Sequence, residues 1–242
     1  MKKVITVSLI LIACLQMQAQ WWGGKGIKGN GNMTTITRDV GTYNQVNVGG
    51  FFDVELVAGN EGTLTIEGES NLLEYLITEV KGDALKIKVE KGKNLKPSNR
   101  MMIKITVPFR DLNEVTLAGS GDVESKAVIK ANTFNTSVAG SGDLILEVDA
   151  NMVDASVAGS GDLTLKGSTR DFEASVAGSG DIHAGRLNAE NVDARVAGSG
   201  DIAVNCTKSL KARVSGSGDI EYSGNPAKQD TKVSGSGDIS RN

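Results

Sequence analysis

The chain has 242 residues, a formal net charge of −3, 4% aromatic residues and two cysteines. So mild a charge supplies no basic stripe for nucleic acid, and two cysteines cannot build a disulfide framework. Glycine, at 30 residues, is well above its usual share of about 7% and points to a turn-rich chain.

Lys2 and Lys3 precede an apolar run from Val4 to Leu15. The run is too short to span a bilayer and has the layout of an export signal. Two exits are open: cleavage after Ala19, which the layout favours, or acylation of Cys14 within Leu11-Ile12-Ala13-Cys14. Either places the protein outside the cytoplasm, at the cell surface, outer membrane or periplasm. Residues 20–42 read as a flexible linker, since Trp21 to Asn32 is rich in Gly, Lys and Asn. Trp21 and Trp22 are expected to pack on the first coil or to anchor near a membrane.

Residues 43–242 read as one domain, irregular over 43–111 and regular over 112–242. Val48-Gly49-Gly50-Phe51-Phe52-Asp53-Val54 is a degenerate copy of a motif that dominates later. Phe51 and Phe52 either cap the core, as terminal repeats do, or form a ligand-stacking patch. Between Gly59 and Arg110 the motif vanishes while apolar alternation continues, and Asn71 to Val80 reads as a short helix or irregular coil. Lys81 to Arg110 is basic. Lys86 and Lys88 alternate with Leu85, Ile87 and Val89, and Lys104 lies between Ile103 and Ile105. If both strands share one sheet, these lysines form a cationic face for acidic polysaccharide; otherwise they are a solvated surface.

From Leu117 onward the chain is a tandem array. Gly-Ser-Gly-Asp recurs with its aspartate at Asp122, Asp143, Asp162, Asp181, Asp201, Asp219 and Asp238, at intervals of 21, 19, 19, 20, 18 and 19 residues by subtraction. Each repeat holds two period-2 runs, hence two strands with one buried face each. In one copy Leu144, Leu146 and Val148 point inward, then Val153, Ala155 and Val157 after a break at Ala150-Asn151. One repeat cannot bury its faces alone. Stacking coils in register, about 4.8 Å apart, does so. The fold class is therefore all-β, a parallel β-helix of about 19-residue coils, right-handed by the crossover rule, with glycine turns along one edge. Those turns are marked by Gly140, Gly142, Gly159, Gly161, Gly178, Gly180, Gly198 and Gly200. Gly161 is a candidate for positive φ, where valine would be strained.

The aspartate column reads as acceptors of turn hydrogen bonds. A calcium ladder along Asp122, Asp143, Asp162, Asp181, Asp201, Asp219 and Asp238 is the alternative. Cys206 takes an inward position and reads as a small buried hydrophobe. The single histidine, His183, has no evident zinc partner in the sequence. Gly-Ser-Gly is neither a nucleophile elbow nor a phosphate loop. No catalytic or cofactor-binding set emerges, although carboxylates alone leave an Asp-based glycosidase or lyase open.

The segments Phe51-Phe52-Asp53-Val54-Glu55-Leu56 and Asn71-Leu72-Leu73-Glu74-Tyr75, with the serial Gly-Ser-Gly-Asp turns, resemble the head GIN domain family of auto-transporter adhesins, typical of gut Bacteroidetes. The resemblance covers roughly Tyr43 to Asn242. It implies a parallel β-helix shaped like pectin lyases, no catalytic set, an adhesive role and, by analogy with other adhesins, a trimer. The expected function is a non-enzymatic, exported β-solenoid that binds glycans or a surface partner. A glycan-active enzyme of pectin-lyase-like shape and a purely structural envelope protein are the alternatives.

Overall fold

The computed structural model of the protein describes residues 26–98 and 102–242; Cys14, the Ala19 cleavage site, Trp21 and Trp22 lie outside them. The repeats form a β-solenoid of about 7 turns of parallel coils. Within the regular part the strands Leu144–Gly159, Leu163–Gly178, Ile182–Gly198 and Ile202–Gly216 stack in parallel. Each is one continuous strand, not two. Pairing runs through the bend, from Val148↔Gly167 and Ala150↔Thr169 to Met152↔Asp171. Each coil thus has two arms facing each other across a thin core, joined by a bend at one edge and by Gly-Ser-Gly-Asp at the other.

Alternation decides what fills the core. Val153, Ala155 and Val157 are buried, as are Phe172, Ala174 and Val176 in the next coil and Val192, Ala194 and Val196 after that. Equivalent residues pair directly, so Val157 stacks on Val176 and Ala155 on Ala174, while Phe172 lies between Val153 and Val192. The small middle residue lets the opposing arms approach. Cys206 is buried in the same core, and burial pushes its thiol pKa up.

The glycine edge is built from backbone contacts. Ser160 and Gly161 both donate their N–H to the Gly140 carbonyl, at 2.8 and 3.0 Å, and the same pair of bonds recurs up the stack. Gly159, the first glycine of the turn, holds φ 134°. Gly161 does not lie in the left-handed region; its constraint is different. A Cβ there would sit 2.1 Å from the carbonyl oxygen of Gly142 in the coil below. The two glycines are thus required for separate reasons, one conformational and one steric.

Coil length varies, and the variation falls at the other edge. In the 20-residue interval the register slips between Ala184 and Asn188, and pairing across the 18-residue interval slips at the same bend. In the 21-residue interval the strand Val123–Ser125 ends before the strand Ile129–Gly140 begins, and the extra residues lie between them. The glycine turns stay in register throughout.

The N-terminal third is interleaved. Gln45–Gly50 and Asp53–Ala58 form the degenerate coil, and Val48, Gly49 and Gly50 pair with Leu117, Ala118 and Gly119 as the motif alignment predicts. On its other side lie Ala84–Val89 and Lys104–Phe109, which follow it in sequence. Three strands extend this end antiparallel: Thr63–Glu69 on Lys104–Phe109, Met33–Asp39 on Thr63–Glu69, and Leu76–Lys81 on Ala84–Val89. Between them Ser70–Leu73 makes a single helical turn.

Residues 27–39 are therefore not linker. Ile27–Lys28 pairs with Leu95–Lys96, and Met33–Asp39 carries the β-branched run Thr34-Thr35-Ile36-Thr37, which suits a strand. Arg38 then fixes the strand by donating to the carbonyls of Leu73 and Leu76, at 2.5 and 2.6 Å. Glu69, only 1% exposed, clamps the chain entry. Its carboxylate accepts from Gly31 N–H at 2.6 Å, Ser98 N–H at 2.8 Å and Ser98 Oγ at 2.5 Å. Burial alone would raise its pKa; these donors outweigh it and hold the group below its ordinary value of 4.5.

Two outcomes follow from these contacts. Gly161→Ala has no room for its methyl against the Gly142 carbonyl and should lose about 2–4 kcal/mol in chemical denaturation, although alanine is tolerated at its φ. Glu69 stabilises the fold fully above pH 4.5, and that contribution is lost as pH falls through its lower folded value. Glu69→Gln should therefore lower Tm at pH 7, and the gap to wild type should narrow in melts taken at successively lower pH below 4.5.

Candidate functional site

The glycine edge presents two outward columns. The turn serines, such as Ser141, Ser160 and Ser179, are exposed beside the aspartates. Each aspartate Oδ1 accepts the backbone N–H of the next aspartate: Asp162 N to Asp143 at 3.1 Å, Asp181 N to Asp162 at 3.0 Å, Asp201 N to Asp181 at 2.8 Å and Asp219 N to Asp201 at 2.7 Å. Asp122 and Asp238 complete the column at its two ends. These carboxylates accept turn hydrogen bonds as expected, but from the neighbouring coil and not from their own turn.

The opposite edge carries three short side-chain columns of amides, carboxylates and hydroxyls. Asn151 Nδ2 donates to Asn132 Oδ1 at 2.8 Å, Ser168 Oγ to Asp149 at 2.8 Å, Asn191 Nδ2 to Asp171 at 2.8 Å and Ser209 Oγ to Asn191 at 2.7 Å. It opens into a hollow where the regular stack meets the interleaved end. Leu112 and Asn113 run straight into the strand Glu114–Gly119, whereas the following coil bends at residues 126–132 and overhangs them. The hollow measures about 480 Å³ and is lined by Asn44, Asp111, Leu112, Asn113, Lys130, Ala131, Asn132 and Thr133. A second hollow of about 470 Å³ shares Lys130, Ala131 and Asn132 and continues to Asp149, Ala150 and Asn151. Asn44 Oδ1 is buried and has no hydrogen-bond partner among the described residues.

The basic segment does not form one face. Lys86 and Lys88 ride on the arm stacked against Gln45–Gly50, and Lys104 on the arm stacked against Asp53–Ala58. The turn at Gly50–Phe52 puts those arms on opposite sides of the core. The lysines are also matched by acids. Lys88 lies 3.5 Å from Glu79, which also holds Lys81 at 3.0 Å, and Lys86 stands across the strand pair from Glu79. Lys104 lies 2.9 Å from Glu55, a hydrogen bond that raises the lysine pKa. Phe52, 0% exposed, offers no ring face to a ligand. It fills the core where no glycine turn lies beneath, and half-buried Phe51 packs beside it with ring centroids 5.1 Å apart.

The polar hollow escapes sequence reading because Asn44, Asp111 and Lys130 are distant in the chain. The one available signal is Asn132 and Asn151, 19 residues apart at equivalent positions of successive coils.

The family model for the putative auto-transporter adhesin, head GIN domain, matches residues 42–226. The chain belongs to the head GIN domain family. Solved structures share its architecture. A putative adhesin from Bacteroides fragilis superposes with TM-score 0.81 at 26% identity, over 90% of this chain and 100% of that one. A putative lipid binding protein from Parabacteroides distasonis gives 0.75 at 29% identity with the same coverage, and a putative adhesin from that species gives 0.71 at 25% over the same shares. No curated protein matches the chain. The family and its adhesin neighbours support an adhesin-like, non-enzymatic role for this head GIN domain.

With its lysines split between faces and paired to acids, the protein should elute from a heparin column below physiological salt. Retention beyond about 0.3 M NaCl would show a concentrated cationic patch.

Proposed function

We propose that this head GIN domain is an exported, non-enzymatic adhesin module that binds neutral glycan chains along its bend edge. The family points to an exported or cell-surface protein, and no described helix is long and apolar enough to cross a membrane. The observation that carries the reading is the pair of adjoining hollows between Asn44 and Asn151, which share Lys130, Ala131 and Asn132. Amide, carboxylate and hydroxyl groups repeating about every 4.8 Å suit the closely spaced hydroxyls of a sugar chain. A repeating edge also lets weak single contacts add along one polymer. Neutral glycan replaces acidic polysaccharide in this reading because the lysines expected to attract anions are already matched by Glu79 and Glu55.

Calorimetry or an array with neutral oligosaccharides tests this. Asn132→Ala should weaken binding at least fivefold with Tm unchanged. Wild-type strength in that variant, or no binding across a neutral panel, overturns the assignment.

A further inference from the structure

The aspartate column of the glycine edge has one place where a different ligand chemistry appears. Among the described residues none of the seven column aspartates has an ion-pair partner, although each coil adds one carboxylate about 4.8 Å from the last. One oxygen of each aspartate from Asp122 to Asp219 accepts the backbone N–H of the next aspartate in the column. Two residues after Asp181, on the same outward side of the strand, stands the only histidine of the chain. The ligand atoms of Asp162, Asp181 and His183 lie within 4.8 Å of one another. His183 is paired in register with Thr164 on one side and Ala203 on the other, and beyond Ala203 comes Glu221. The methyl of Ala203 leaves a gap between two longer side chains. The result is a hollow of about 190 Å³ walled by Asp181, His183, Asp201, Asp219 and Glu221.

We infer that Asp162, Asp181 and His183 form a binding site for a divalent first-row transition-metal ion. An imidazole with two carboxylates is a donor set that zinc, nickel or copper accepts, whereas calcium takes oxygen ligands and has no use for the histidine. The imidazole distinguishes this coil: Glu124, Ile145, Thr164, Ala203 and Glu221 hold the same outward position in other coils. The ion would offset repulsion within the carboxylate column where two coils meet. The walls beyond it, Asp201 and Glu221, would carry the hydrogen bonds of its remaining water ligands. This site is on the edge opposite the glycan hollow, and neither assignment depends on the other.

Because His183 is unique, its ring signals in a protein without a histidine tag report on this site alone. Zinc chloride is titrated into the ¹⁵N-labelled protein and followed by NMR, with calorimetry in parallel. The expected result is a shift of the His183 ring nitrogens that saturates at one equivalent of zinc and a rise in Tm. His183→Ala and Asp181→Asn should each weaken zinc binding at least tenfold, while calcium binding stays the same in His183→Ala. Unmoved ring signals at saturating zinc overturn the proposal whatever the variants do. So does zinc affinity that survives His183→Ala, which would mark general attraction to the carboxylate column.

Discussion

The contact between stacked glycine turns governs the structure. In each coil one glycine carbonyl receives two N–H groups from the turn above, and the second glycine of that turn lies so close that no side chain fits between them. Since one edge is held this rigidly, every residue counted outward from it meets its equivalent in the next coil. The valine and alanine columns, the serine row and the aspartate row all inherit their register from that contact. No large core is needed when each layer repeats the same few buried side chains.

Rigidity at one edge leaves tolerance at the other. Intervals of 18, 20 and 21 residues are accommodated by slips and unpaired residues at the bend, where backbone need not approach backbone. The two edges consequently differ in character. The glycine edge varies only through residues that project from it, which is how a single histidine can make one coil unlike its neighbours. The bend edge varies in backbone path, and it is there that the hollow opens between Asn44 and Asn132.

Much of this is legible in the amino-acid sequence. The aspartate interval set the coil length, the alternating triplets named the buried faces, and Val48-Gly49-Gly50 aligned with its proper partners. What failed did so for identifiable reasons. Alternation around Lys86, Lys88 and Lys104 tells which side of a strand is wet but not which arm that strand joins. Glycine and asparagine near residue 30 suggested a linker, while the β-branched residues just after them were already making a strand with Thr63–Glu69. Gly161 was assigned a φ constraint because turns usually impose one; its true neighbour, the Gly142 carbonyl, belongs to another coil and is invisible in a single repeat. The nearness of His183 to Asp162 is hidden for the same reason, since the two become adjacent only once coils stack.

The interleaving at the N-terminal end has a kinetic meaning. Each regular coil touches chiefly its sequence neighbours, so such coils add one at a time with little loop-closure cost. The coil Gln45–Ala58 is instead enclosed by Ala84–Phe109 on one side and Glu114–Ser125 on the other. Its two flanks arise from chain that emerges from the ribosome later than the layer they cover. Long-range pairing of this kind is the slow part of assembly. Closing the interleaved end must therefore await chain made later, whereas a glycine-turn coil needs only its sequence neighbours to pack.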